Sequence, residues 1–214
     1  MPAFRSTSGT IYLGGTGALV IPPGTIADGD VLIASVYASG GLATCTPPGG
    51  WTQHLSYSYP TAMNFFLFSK KASGESGSYT FTVGNNGEAT GVVNAYRNAV
   101  AVDVVGAGNH STSANPIALS LTPTVPGCLL LYQGCNNTGT SYSALTGGLT
   151  ELNQGTGQIV AGLDVSGTGP TGNFQSTISS ALWIAVLVAI SGPPQPSFRE
   201  ISRRPAPFRP GLAR

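Results

Sequence analysis

Charge is what this chain of 214 residues has least of: Asp, Glu, Lys and Arg together make up 8% of it, against roughly 25% in ordinary soluble domains. A surface so poor in charge is dressed with Gly, Ser, Thr and Asn instead, which suits an inert exterior on a particle or fibre and ill suits a cytosolic enzyme with charged surface helices. Histidine is reduced to His54 and His110. Neither falls in a spacing such as His-x-x-x-His or Cys-x-x-Cys, so no zinc site is expected. The cysteines Cys45, Cys128 and Cys135 are odd in number and cannot complete a disulfide framework. On one extended strand, the seven-residue step from Cys128 to Cys135 puts these thiols on opposite faces and about 23 Å apart, which predicts free, buried thiols. Long apolar runs are missing too. The longest, Ala181 to Ile190, has ten residues, about half of what a membrane helix requires, and the start Met1-Pro-Ala-Phe-Arg5 lacks the charged beginning and apolar stretch of a secretory signal.

Motifs of catalysis are equally scarce. There is no Gly-x-Ser-x-Gly elbow and no grouping of Ser, His and Asp that stands out. The glycines of Gly14-Gly-Thr-Gly17 have no following helix and read as a bend rather than a phosphate cradle. Asp28-Gly-Asp30 supplies two carboxylates where calcium needs six to eight oxygens, so a turn before a strand is the expectation. No metal, cofactor or catalytic residue is assigned, and the chain is read as not an enzyme. Asn109-His-Ser111 and Asn136-Asn-Thr138 match the glycosylation pattern, as chance allows in so Asn-, Ser- and Thr-rich a chain.

What is present is a rhythm. Clusters of Gly, Pro, Asn and Ser recur every eight to twelve residues, and between them lie short runs of Val, Ile, Leu, Thr, Tyr and Phe, the pattern of antiparallel strands. Strands are predicted at 10–13, 18–21, 30–38, 51–57, 64–71, 79–83, 91–97, 102–105, 117–121, 128–134, 149–152, 158–164 and 181–190. Tyr79-Thr-Phe-Thr-Val83 alternates and predicts one buried side. Ala181–Ile190 is apolar on both sides and predicts a central strand covered on its outer face as well, by a loop or a neighbouring subunit. Gly74-Glu-Ser-Gly77 and Gly84-Asn-Asn-Gly87 read as hairpin turns, and no long fixed period is evident. The fold class expected is all-β: a two-sheet antiparallel sandwich, jelly-roll-like, over residues 10–192 as one domain, with extended non-globular arms at 1–9 and 193–214.

The charges are distributed unevenly. Residues 193–214 hold Arg199, Arg203, Arg204, Arg209 and Arg214 against Glu200, a formal +4; the remainder holds four basic and seven acidic residues, a formal −3. Phe-Arg recurs with a proline close before it at Phe4-Arg5, Phe198-Arg199 and Phe208-Arg209. A proline-rich strap is pre-extended, its Phe can fill an apolar pocket and its Arg can pair bidentately with a carboxylate. Phe4, Arg5, Phe198, Arg199, Arg203, Arg204, Phe208 and Arg209 are therefore the expected partner-binding residues. The C-terminal arm can span about 65 Å at roughly 3.1 Å per residue. Five arginines without interleaved lysines or a basic folded face make a small electrostatic footprint, so nucleic acid is not expected as a partner.

The succession Ile21-Pro-Pro-Gly-Thr-Ile-Ala-Asp-Gly-Asp-Val-Leu-Ile-Ala-Ser-Val36, then Thr46-Pro-Pro-Gly-Gly-Trp-Thr52, Phe68-Ser-Lys-Lys-Ala72, Tyr79-Thr-Phe-Thr-Val83 and Val93-Asn-Ala-Tyr-Arg97 resembles a β-sandwich module of tailed-phage virion structural proteins and bacterial surface proteins. The resemblance covers residues 18 to 190. It implies an attachment, fibre or decoration module with no catalytic residues to carry over. The function expected from it is a non-enzymatic virion protein at the particle surface, a capsid decoration or cement protein in several copies, bound to the major capsid protein or other virion subunits. The alternative is a glycan- or receptor-binding module of a tail fibre or secreted adhesin, with Trp51, Tyr57 or Tyr142 exposed on one open face.

Overall fold

The computed structural model of the chain describes residues 1–59, 61–85 and 87–194. The strap residues Phe198, Arg199, Arg203, Arg204, Phe208 and Arg209 lie outside the described residues. Within them the chain is all-β, without a helix. The first half runs β1 (Ala3–Thr7), β2 (Ile11–Gly14), β3 (Gly17–Ile21), β4 (Val31–Ser39), β5 (Thr44–Thr46), β6 (Thr52–Tyr59), β7 (Met63–Lys71), β8 (Tyr79–Gly84) and β9 (Glu88–Arg97). The second runs β10 (Ala101–Val105), β11 (Asn109–Ser113), β12 (Ile117–Ala118), β13 (Cys128–Asn136), β14 (Thr150–Gly155), β15 (Gln158–Val165), β16 (Phe174–Gln175) and β17 (Ala181–Ser191). All thirteen predicted strands are present; β1, β5, β11 and β16 were not foreseen.

The two halves have the same layout. The first large sheet has the order β1-β9-β4-β7-β6 with β2 also on β9, and the second has β10-β17-β13-β15-β14 with β11 also on β17. A small outer sheet covers each: β3-β8-β5 in the first half and β12-β16 in the second, where the bridge Ser143↔Thr177 stands in for β5 against β8. Even the irregularities correspond. The pairing of β1 with β9 is bulged between Phe4 and Ser6, that of β10 with β17 between Val102 and Val104. Likewise β6 is bulged between Gln53 and Leu55, and β14 between Glu151 and Asn153. Gly49-Gly-Trp-Thr52 before β6 matches Gly147-Gly-Leu-Thr150 before β14, a step of 98 residues. The expectation of no long period is corrected: strand order and bulges repeat while most side chains differ.

Four layers result, where two were expected. Between the first large sheet and its outer sheet lie Leu19, Ile21, Leu32, Val36, Phe66, Phe68 and Phe81. The second half has its own core of Leu130, Tyr132, Ile159, Phe174, Trp183 and Leu187. A third core joins the large sheets face to face, with Val31, Ile33, Phe65, Leu67 and Tyr96 from the first and Leu129, Leu131, Ile184, Val186, Val188 and Ile190 from the second. That is why β4, β9, β13 and β17 are buried on both faces: each alternate set of side chains enters a different core. The outer face of 181–190 is thus covered by the chain's own first half. At the centre, Ser35 donates a hydrogen bond to Gln133 Oε1 at 2.7 Å. These positions are also 98 apart, and contact between equivalent positions is what a two-fold relation between halves produces.

The turns follow from the layers. Gly74–Gly77 and Gly84–Gly87 are not hairpins, because β7 and β9 belong to the large sheet while β8 pairs with β3 and β5. β8 has a single buried side and belongs outside; β9 has two and belongs inside. Tight hairpins occur instead at β6/β7 and β14/β15. In the latter, Thr156 (φ 41°) and Gly157 (φ 71°) both take the left-handed region, the type I′ turn whose twist matches the flanking strands. The N-terminal arm expected at 1–9 is corrected as well: Ala3–Thr7 is an edge strand, paired from Ala3↔Arg97 to Thr7↔Asn94. Its bulge breaks the two-residue period, so the alternation that reveals a strand is absent from Ala3-Phe-Arg-Ser-Thr7.

Because the inner core is common to both halves, they are expected to unfold together. Trp51 lies in the first outer core and Trp183 in the second, so the variants Trp183→Phe and Trp51→Phe each leave one fluorophore reporting on one half. Urea titrations should give coincident midpoints, and two separated transitions would show independent halves. Leu131→Ala should cost about 2–5 kcal/mol and lower both midpoints together. In the hairpin, Thr156→Asn should raise stability by about 0.5 kcal/mol, because Asn tolerates the left-handed region better than a β-branched residue.

Candidate functional site

The structure uses Phe4 and Arg5 for folding, which corrects their assignment to a free strap. The Phe4 ring meets Tyr96 edge-on at 6.0 Å. Arg5, at the bulge, brings its Nε within 2.6 Å of the Asp30 carboxylate, whose side chain is 3% exposed. The contact is a charge pair at an angle outside that of a hydrogen bond. Asp30 also accepts from the Ala27 amide at 2.9 Å, and Asp28 accepts from the Gly74 amide at 2.7 Å. The Asp28-Gly-Asp30 carboxylates therefore serve as turn acceptors. In the second half the corresponding bulge residue is Asp103, which accepts from the Thr124 amide at 2.7 Å and lies 3.8 Å from Cys128 Sγ.

The aromatics required by the glycan-binding alternative do not form an open face. Trp51 is 9% exposed and packs edge-on against Tyr79 and Phe81 at 5.2 and 5.4 Å; it plugs the first core. Tyr142 is buried in the second core. Tyr57 is half-buried, and its hydroxyl is 2.7 Å from His110 Nδ1. The structure also joins His54 Nε2 to Ser69 Oγ at 2.7 Å, a pair whose partners come from adjacent strands and whose spacing in sequence carries no signal. Burial lowers the His54 pKa, so the ring is neutral near pH 7. Among the described residues no third acidic group joins them, and no cluster of three His, Cys, Asp or Glu side chains has the form of a metal site.

A polar recess lies where the halves meet. It has a volume of about 240 Å³. Tyr12, Tyr37 and Glu88 line it from the first half, and Asn137, Thr138 and Thr156 from the second. Each is held in place. Tyr12 points outward from β2 between the inward Ile11 and Leu13, is 56% exposed, and lies alongside Gly14, where a Cβ would come within 3.7 Å of its ring. Its hydroxyl donates to Glu88 Oε2 at 3.2 Å, which raises its pKa. The Glu88 backbone is pinned by Ser39, whose Oγ accepts from the Glu88 amide at 2.9 Å and donates to its carbonyl at 3.3 Å. Across the recess, Asn136 Oδ1 accepts from the amides of Thr138 and Thr140 at 3.2 and 3.1 Å, which fixes the turn carrying Asn137 and Thr138. Asn136 is itself buried, so it offers no acceptor for a glycan chain. Tyr37 is 3% exposed, and its hydroxyl has no hydrogen-bond partner; burial raises its pKa far enough to keep it a neutral phenol.

Sequence reasoning passed over these residues. The outward Tyr12 between two inward apolar side chains, and the Gly-Thr-Gly turn at 155–157, were the available signals; that they share a recess depends on the pairing of the halves. The three thiols follow expectation, being free and buried, with Cys128 and Cys135 in different cores. Burial pushes Cys45 up to about 12, and burial with the Asp103 carboxylate pushes Cys128 up to about 11. A thiol in the unfolded chain titrates near 8.5, so above that pH the unfolded state loses protons that the folded state keeps. Stability should be flat below about pH 8.5 and decline as the pH rises towards 11, measured by urea unfolding at stepped pH. A thiol reagent at pH 8 should label the native chain at least roughly a hundredfold more slowly than the urea-unfolded chain, in which all three cysteines react. Compared with known proteins, this chain matches no family model, no curated protein and no solved structure.

Proposed function

We propose that this chain is a non-enzymatic virion structural protein of a tailed phage, most plainly a capsid decoration or cement subunit, present in several copies and held to the major capsid protein or neighbouring subunits by its C-terminal segment. The observation that carries the reading is the charge partition: a body of formal −3 joined to a terminal segment of +4 rich in Pro, Phe and Arg. The last described residues, Pro193 and Pro194, lie at a largely apolar hollow of about 530 Å³ that Val100, Val102, Val125, Pro126 and Asp103 also line. Val100 and Val125 are among the exposed large apolar side chains. The strand order β2-β9-β4-β7 facing β3-β8-β5, repeated in the second half, supports reading each half as a jelly-roll-like sandwich. Phe198, Arg199, Arg203, Arg204, Phe208 and Arg209 remain the proposed anchoring residues; Phe4 and Arg5 leave that set.

A second reading, a glycan- or receptor-binding module of a fibre or adhesin, is favoured by one observation, the polar recess between the halves. The two readings separate on the tail. Replacing Phe198, Arg203, Arg204 and Phe208 together with Ala should reduce copies per particle at least tenfold, counted by quantitative mass spectrometry of purified particles, with the melting temperature of the free chain unchanged. Undiminished incorporation would overturn the anchoring role.

A further inference from the structure

We infer that the recess between the halves is a binding site for a single neutral sugar ring, with Tyr12 as its stacking platform and Glu88, Asn137, Thr138, Thr156 and the buried Tyr37 hydroxyl as its hydrogen-bonding groups. This bears on the second reading above and is independent of how the chain is anchored.

The chemistry of the lining selects the ligand class. No Lys or Arg lines the recess and Glu88 does, so an anion is repelled. One carboxylate is too few for calcium, which takes six to eight oxygens. An organic ammonium would be attracted by Glu88 and the tyrosines, but its cationic head has no lone pair to accept with and leaves the amide N–H groups of Asn137 without acceptors. Sugar hydroxyls both donate and accept, and so do the hydroxyls of Thr156 and Tyr37; the Thr138 hydroxyl, which already donates to Asn136 Oδ1 at 3.2 Å, can accept, and the Asn137 amide, whose oxygen accepts from the Leu182 N–H at 3.1 Å, has its N–H groups to donate. Glu88 gives one oxygen to Tyr12 at 3.2 Å and has the other for a ligand hydroxyl, a charge-assisted bond. The apolar face of a pyranose suits the exposed Tyr12 ring. Size agrees: about 240 Å³ is below the roughly 300–1,000 Å³ of sites for drug-sized ligands.

Two further features separate this recess from a chance dent. Tyr37 lines the recess and its buried hydroxyl has no partner within the chain, an unfavourable state that a ligand hydroxyl reaching it would relieve. The opposite wall is fixed by backbone in the left-handed region, at Gly139 (φ 68°) and at Thr156 (φ 41°). The walls are preformed, so little ordering is needed on binding.

The test is saturation-transfer NMR on the full chain with free glucose, galactose, mannose, N-acetylglucosamine, fucose and rhamnose, and with choline as the ammonium control. At least one sugar should receive saturation. Its affinity should fall at least tenfold in Tyr12→Ala and in Glu88→Gln, and should be unchanged in Leu42→Ala, an exposed side chain outside the recess. Thr156→Val, which keeps shape and removes the hydroxyl, provides a second route should Tyr12→Ala alter the melting temperature; it too should weaken binding. Saturation of none of the sugars, of choline alone, or of a sugar whose affinity ignores all three recess substitutions would overturn the inference. None of these outcomes bears on particle incorporation, so the failure of the sugar site and the failure of the anchoring role are distinguishable.

Discussion

The structure depends on the inner core, where two large sheets bury their second faces against each other. An antiparallel sheet ordinarily needs only one apolar face, the other being hydrated. Here β4, β9, β13 and β17 are buried on both, and neither large sheet is stable in water with Ile33, Phe65 and Leu67, or Leu131, Val186 and Val188, uncovered. At about 1.5–3 kcal/mol for each fully buried side chain of this size, the contact between the halves outweighs any single hairpin or loop. The short outer sheets can then be slight, since each has only one large sheet to cover.

That core is not uniformly apolar. Ser35 and Gln133 bond to each other at its centre, Gln158 reaches across to Thr90, and Asn94 is fully buried with its amide unpaired within the chain. The paired groups, Ser35 with Gln133 and Gln158 with Thr90, penalise any sliding of one sheet over the other, because a shift leaves them without partners. They specify how the halves align, whereas the apolar residues supply the attraction. The same alignment brings the 136–140 turn and the β14/β15 hairpin opposite Tyr12 and Glu88, so the recess is a consequence of how the halves meet.

The strands were legible in the sequence because their information is local: period-two alternation and the Gly, Pro and Asn clusters between runs. The four strands that escaped notice show the limits. β1 is broken by its bulge at Arg5, β11 is Asn-His-Ser-Thr-Ser without apolar residues, and β5 and β16 are two or three residues long. The repeat escaped because its two copies share geometry rather than side chains: Trp51 stands where Leu149 does, and Asp30 where Cys128 does. Of the site, the outward-facing Tyr12 was readable, but nothing near it in sequence points to Thr138 or Thr156.

What the chain determined by itself is its class and its electrostatic division. Alternation, turn residues, the scarcity of charge and the concentration of arginine in the last 22 residues are properties of sequence and composition that no folding step alters. What only the tertiary structure decided is which apolar face meets which. A strand apolar on both sides requires two covers and does not say whether they are a loop, another subunit or the other half of its own chain. Hydrophobic attraction is non-directional, so that choice rests on register, bulges and the few buried polar contacts, all of which join residues tens of positions apart.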